Sequence, residues 1–354
     1  MRIKWFSRLI LLSVILVLAF GFSVSAADKP FKLRLSMQPT PEAFIVWRMM
    51  EEGLDKKAGL EFELLYFDSG ASQIEALPAK AWDLANLGGV PTLMGALRYQ
   101  IYMLAMSADD GYNNMIIVRP DSPILKDKGK NPKYPNLYGS AESVKGKKIL
   151  VPMVTSAHYA LSGWLGALGL MDNDVVIENL EPGQAISAFE SGVGDAVSVW
   201  VPFSLTAIQK GWPMVADGAM TGASVPLVWI VPKQWGDENE AQVKKFIKLY
   251  FEQTDRYLKD LSSNKAALTE QARGFFKKWA GMEMEKEMMS LMLDTYKMFN
   301  MQQNMEMMDA SKGDSKSFLM MKAVAEFFTQ NKRFKADERD KVLKTPFITD
   351  KFLK

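Results

Sequence analysis

Trp82-Asp83-Leu84-Ala85-Asn86-Leu87-Gly88-Gly89-Val90-Pro91 is the stretch on which the fold turns. Trp82 to Leu87 is a short apolar run of strand length, Gly88-Gly89 is a turn, and Pro91 suits the first residue of a helix, where a missing N–H costs nothing. Upstream, Ser72 to about Ala81 reads as a helix entered from the turn Asp68-Ser69-Gly70. Before it, Leu60, Phe62, Leu64 and Tyr66 alternate as a strand. Pro41 to Ala58 carries Phe44, Trp47, Met50 and Leu54 at helical spacing and stops at Gly59. Phe31, Leu33, Leu35 and Met37 alternate as a first, half-buried strand. Helices alternating with strands in this way imply an α/β fold with a mainly parallel sheet.

Downstream the order restarts. Strands near Ile101–Met106 and Met115–Val118 precede a loop from Lys126 to Ser140, rich in Lys, Asn, Pro and Gly and the best candidate for a mobile insertion. Strand Lys148–Val151, helix Ser156–Leu168, strand Val175–Leu180, helix Gly183–Glu190, strand Ala196–Trp200 and helix Pro202–Lys210 follow. Leu227–Val231 is a last β-rich run, and from Asp237 the chain reads as almost wholly helical. Two α/β halves and a returning segment predict two lobes joined by two or more crossings. Residues 27–119 with 225–354 make the first lobe, and 120–224 the second.

The chain has 354 residues, 48% hydrophobic and 24% charged, enough for two cores. With no cysteine, thiolate nucleophiles, iron–sulfur clusters, cysteine zinc sites and disulfides are excluded. A single histidine, His158, argues against sites built on several imidazoles. Neither a G-x-G-x-x-G nor a G-x-x-x-x-G-K-[ST] run occurs, and no cofactor or metal is expected. The Met-rich stretch Met282–Met308 reads as adaptable packing, with Met288, Leu291 and Met292 beside Tyr296 and Phe299 on an apolar face, rather than as a Cu(I) site.

Residues 1–26 read as a cleaved export signal. Arg2, Lys4 and Arg8 precede the apolar run Leu9–Phe22, too short to span a bilayer, and Val24-Ser25-Ala26 is a small-residue cleavage site. Removing those three bases from 43 Lys and Arg leaves 40 to face 41 Asp and Glu. A near-neutral mature chain has no basic footprint for nucleic acid.

Four strand–turn–helix junctions carry small or hydroxyl residues at the helix start: Asp68-Ser69-Gly70-Ala71-Ser72, Asn86 to Pro91, Val154-Thr155-Ser156-Ala157-His158 and Trp200-Val201-Pro202-Phe203. At the carboxyl ends of parallel strands such junctions are where ligands bind. A helix N-terminus exposes unpaired N–H groups and a partial positive charge, so two lobes presenting these ends across a cleft can hold a small anion without Arg or Lys. The candidate contacts are Gln38, Ser69, Gly70, Gly88, Gly89, Thr155, Ser156, His158 and Trp200. Thr155 serves equally as an N-cap, His158 and Trp200 equally as core, and Asp109 and Asp110 read as solvated turn residues.

In sequence order and spacing, these junctions resemble the periplasmic taurine, aliphatic-sulfonate and nitrate-type solute-binding proteins of ABC importers, over roughly Leu33 to Lys233. The resemblance implies a type II periplasmic-binding fold, two α/β lobes with a hinge and a helical C-terminal third. It also implies a monomer that delivers a ligand to a membrane permease powered by an ATPase. In taurine-type relatives, carboxylates stand where this chain has Leu227 and Asn114, so a sulfonate-type anion without a primary amine is expected. An enzyme of the same fold, of pyrimidine-precursor or menaquinone-pathway type, and a periplasmic sensor subunit are the rival readings.

Overall fold

The structure is a computed structural model that describes residues 29–223 and 225–354, and the expected leader lies outside the described residues. In chain order its strands are β1 (Phe31–Met37), β2 (Leu60–Tyr66), β3 (Leu84–Gly88), β4 (Ile101–Asp109), β5 (Asn114–Val118), β6 (Lys148–Val151), β7 (Val176–Asn179), β8 (Ala196–Trp200), β9 (Met214–Asp217), β10 (Pro226–Pro232) and β11 (Lys297–Met298). They form two sheets, ordered β11-β4-β10-β3-β1-β2 and β7-β6-β8-β5-β9. The helices that bear on the site are α1 (Pro41–Glu51), α2 (Gly70–Glu75), α3 (Gly89–Arg98), α4 (Ser156–Ala167), α5 (Glu240–Ser263) and α6 (Lys316–Gln330).

Both sheets are mixed rather than mainly parallel. β1 runs parallel to β2 and β3, whereas β10 enters between β3 and β4 antiparallel to both. In the second sheet β6 is parallel to β7 and β8, and β5 is antiparallel to β8 and β9. The returning strands thus belong inside the sheets. Because β5 lies in the second sheet, the first crossing runs through Asp110–Asn113, ahead of the expected 119/120 boundary. The second runs between β9 and β10. β9 itself is too short to show alternation in the sequence.

Local chemistry shifts other boundaries. The expected helix over 41–58 breaks because Gly53 sits at φ +64°, a left-handed conformation open to glycine, leaving Pro41–Glu51 and Leu54–Lys57. The helix expected from Ser72 to Ala81 begins at Gly70 under a Ser69 cap and ends at Glu75. Pro78, without an N–H, then sits in a 3-10 turn. Pro91 is the third residue of α3, which starts at Gly89.

The loop from Lys126 to Ser140 is fastened to the second lobe. Leu137 is buried, Tyr138 N–H donates to the Val215 carbonyl at 3.0 Å, and Trp164 Nε1 donates to the Tyr138 carbonyl at 2.8 Å. These bonds replace the mobility expected from its composition. In the first lobe, Trp229 of β10 is fully buried against Phe246 and Tyr250 of α5, with ring centroids 4.8 and 5.0 Å away. The Met-rich helix Lys286–Thr295 buries Met289, Met292 and Leu293, and Met288, Tyr296 and Phe299 pack on the core as expected; of the expected face only Leu291 is exposed.

Candidate ligand-binding site

Between the lobes lies a narrow, nearly closed cleft, with about 20 Å³ of free space inside it and about 330 Å³ only when the open mouth is counted. Gln38, Thr40, Gly70, Gly88 and Pro91 line it from the first lobe, and Thr155, Ser156 and Trp200 from the second. Asp110 at one crossing, Leu227 at the start of β10 and Tyr296 from the C-terminal third complete the wall. None of the lining residues is a Lys or Arg.

Three helices of eight or more residues begin here. Thr40 is the N-cap of α1, Gly88 of α3 and Thr155 of α4. Their first-turn N–H groups have no partner within the helix, so the cavity collects hydrogen-bond donors and positive dipole ends from both lobes. The lobes meet closely at this point. A Cβ placed on Gly88 would stand 2.6 Å from Ser156 Oγ, so any side chain there meets the opposing helix start. Gly70 is equally constrained, because a Cβ on it would lie 2.5 Å from the Pro91 ring.

The polar side chains are held from behind. Gln38 Nε2 donates to Gln73 Oε1 at 3.0 Å, and Gln73 Nε2 donates in turn to the Ser36 and Asn86 carbonyls. Thr40 Oγ1 and Trp200 Nε1 are buried with no protein partner, as expected of groups that hydrogen-bond a guest. Thr155 differs. Its hydroxyl donates to the Pro152 carbonyl at 2.6 Å and accepts from His158 N–H at 3.3 Å, so its proton is spent on the loop.

Asp110 is 4% exposed, not a solvated turn residue. Burial pushes its carboxyl up to about 7, and the charge of nearby Glu42 adds to the rise. Glu42, fully buried in the first turn of α1, is raised to about 7 by burial as well; it accepts from Ser107 Oγ at 3.0 Å and leaves Oε2 unpartnered. The cavity thus combines donor-rich helix starts with a carboxyl group.

Three sequence candidates stand elsewhere. Ser69 caps α2 and lines an adjoining groove, where its hydroxyl donates across the lobe boundary to Glu181 Oε1 at 3.2 Å. Gly89 faces away from the cavity, and a Cβ on it would meet Met321 Sδ at 3.1 Å. His158 is fully buried with both ring nitrogens engaged, Nδ1 by Val154 N–H and Nε2 by Asp172, so it has none left for a guest. Thr40, Pro91 and Tyr296 were not among the candidates, Asp110 was read as solvated, and Leu227 entered only as the place of a missing carboxylate. Among them Thr40, a Thr before Pro41 at a helix start, carries a local signal.

Residues 26–271 match the NMT1-like family over more than half of the chain. The chain belongs to the NMT1-like family. Among its relatives, the taurine-binding periplasmic protein of Escherichia coli is 26% identical over 253 residues, 70% of this chain and 72% of that one. The fold is that of periplasmic binding proteins. The crystal structure of the periplasmic aliphatic sulphonate-binding protein of Escherichia coli superposes with a TM-score of 0.65 at 18% identity, over 90% of this chain and 99% of that one. The alkanesulfonate-binding protein of Xanthomonas axonopodis pv. citri, bound to MOPS, gives 0.70 at 16% identity, over 91% and 99%. These likenesses establish for this NMT1-like chain the two-lobed architecture expected from its four junctions.

Proposed function

We propose that this chain is the solute-binding component of an ABC importer. It is exported through residues 1–26 into the periplasm, takes up a small organic anion between its lobes as a monomer, and presents it to a permease with its ATPase. The observation that carries the reading is the convergence of the Thr40, Gly88 and Thr155 helix starts, from both lobes, on one cavity without a basic side chain. An anion held by fixed N–H dipoles is released without breaking an ion pair, which suits a carrier. Contacts to the guest come from Gln38, Thr40, Gly70, Gly88, Ser156 and Trp200.

The expectation of a ligand without an amine rested on two missing carboxylates. Leu227 does line the cavity, and Asn114 Nδ2 donates to the Asp110 carbonyl at 2.7 Å. Asp110 nonetheless brings a carboxyl to the same wall. A desolvated ammonium needs such an acceptor. The ligand we infer is therefore an aminated small anion of the aminosulfonate class, with its alkyl linker against Leu227, Trp200 and Tyr296.

Calorimetry with taurine and ethanesulfonate tests this directly. Taurine should bind the wild type at least tenfold tighter, and Asp110→Asn should erase the difference. Tighter ethanesulfonate binding would restore the amine-free reading that Leu227 favours. Binding of neither would remove the sulfonate class. Mass spectrometry of the recovered ligand separates carriage from catalysis, since a carrier returns it unchanged.

A further inference from the structure

The loop Pro152–Thr155, which joins β6 to α4 and brings Thr155 to the second-lobe wall of the site, contains Val154 at φ +60°. A β-branched residue in the left-handed region is strained by roughly 1–3 kcal/mol and persists only where its surroundings impose it. Val154 N–H donates to His158 Nδ1 at 3.3 Å. With Nδ1 accepting, the ring proton sits on Nε2 and is donated to Asp172 Oδ2 at 2.9 Å. Asp172 also accepts from Ser162 Oγ at 2.7 Å, and from Arg333 Nη2 at 3.3 Å.

Arg333 belongs to neither the loop nor its lobe. It follows α6 in the C-terminal third, and α6 packs against two of the three cavity helices, α3 and α4. Its Met321 lies beside Gly89 at the start of α3, while Phe327 meets Tyr159 of α4 edge-on and Phe328 lies tilted against it, with centroids 4.4 and 5.9 Å away. Phe328 also packs edge-on against the His158 ring at 5.7 Å.

We propose that Arg333, Asp172 and His158 are positioning residues, through which the C-terminal helix holds the strained Val154 loop and so sets where Thr155 and Ser156 stand in the cavity. The chain of contacts is continuous, each link is buried or half-buried, and its far end lies in the other lobe's C-terminal extension. Removing Arg333 weakens the hold on the carboxylate, the imidazole loses its fixed orientation, and the loop relaxes toward ordinary dihedrals. The role of the loop as a ligand wall rests on the function proposed above, but the positioning itself is measured without ligand.

His158 is the chain's single histidine, so its imidazole gives one unambiguous nitrogen signature. The experiment compares full-chain wild type, Arg333→Ala and Arg333→Lys by imidazole 15N spectroscopy and amide hydrogen exchange. In the wild type His158 should appear as the neutral Nε2–H tautomer. Arg333→Ala should shift that signal and raise exchange at Val154–Ala157 at least tenfold over its effect on the β-sheets, with partial recovery in Arg333→Lys. His158→Asn, which keeps an acceptor for Val154 N–H, should protect the loop better than His158→Leu. Unchanged signals and exchange in Arg333→Ala overturn the proposal, and so does a uniform rise across the molecule, which would mark the ion pair as merely stabilising. Failure of taurine to bind would count against the ligand class and leave these outcomes as they are.

Discussion

Asp110 lines the cleft and Glu42 is buried near it, and burial raises both carboxyls to about 7. In the unfolded chain such groups titrate near 4, so between about pH 4 and 7 the folded state binds more protons than the unfolded one. The sign follows: stability is greatest below that window, falls as pH rises through it and levels off above 7. Full ionisation of each group costs roughly 3–4 kcal/mol of stability. Ligand-free protein should therefore melt at a lower temperature at pH 8 than at pH 5, and Asp110→Asn or Glu42→Gln should each flatten the slope in a calorimetric pH series. An ammonium ligand prefers the ionised carboxylate, so taurine should bind more tightly at pH 8 than at pH 6. At Gly88 the test is steric. Gly88→Ala should weaken taurine binding about tenfold by meeting Ser156 Oγ, 2.6 Å from the new Cβ. Adding Ser156→Ala should recover part of the loss, whereas strict additivity in the calorimetric cycle would show that the two helix starts do not press on each other.

At the scale of an element, α4 shows how capping and binding divide. Thr155 Oγ1 is committed to the Pro152 carbonyl and His158 N–H. Thr155→Val keeps the shape and loses both bonds, so the protein should lose about 1 kcal/mol of stability. Denaturant titration reads that loss, and the taurine affinity of the folded variant should change by less than threefold. A large loss of affinity with unchanged stability would return the hydroxyl to the ligand. The start of α4 was legible in the sequence because a cap, an apolar run and a turn are neighbours in the chain. The orientation of His158 was not, because Asp172 and Phe328 reach it from outside its own turn, with Arg333 behind Asp172.

Across the whole molecule, two crossings join the lobes, and contacts on either side of the cavity draw them together. Ser69 meets Glu181 in the adjoining groove, Gly88 faces Ser156, and α6 seats Phe327 against Tyr159. Closure about such a pair of crossings is a population shift, and a ligand moves it only by binding the closed form better. Phe327→Ala removes the aromatic seat without touching the cavity. Its ligand-free radius of gyration by small-angle scattering should exceed that of the wild type, and saturating taurine should bring the two together. Equal radii without ligand would show that α6 does not hold the lobes.

The sequence by itself determined the α/β order, the two-lobed plan, the Thr155 start of α4, and six of the nine candidate contacts on the cavity wall: Gln38, Gly70, Gly88, Thr155, Ser156 and Trp200. These are local matters of periodicity and of which residues can end a strand and begin a helix. Only the tertiary structure decided the rest. Strand β10 inserts antiparallel between β3 and β4 because hydrogen-bonding partners are chosen across the sheet, not along the chain. Asp110 is a charged residue in a turn by sequence, yet both lobes close over it and strip its water. Tyr296 reaches the cavity from a stretch whose composition suggested only packing. His158 lies in the right helical turn but faces the wrong way, since a buried imidazole must satisfy both nitrogens and its partners came from the fold.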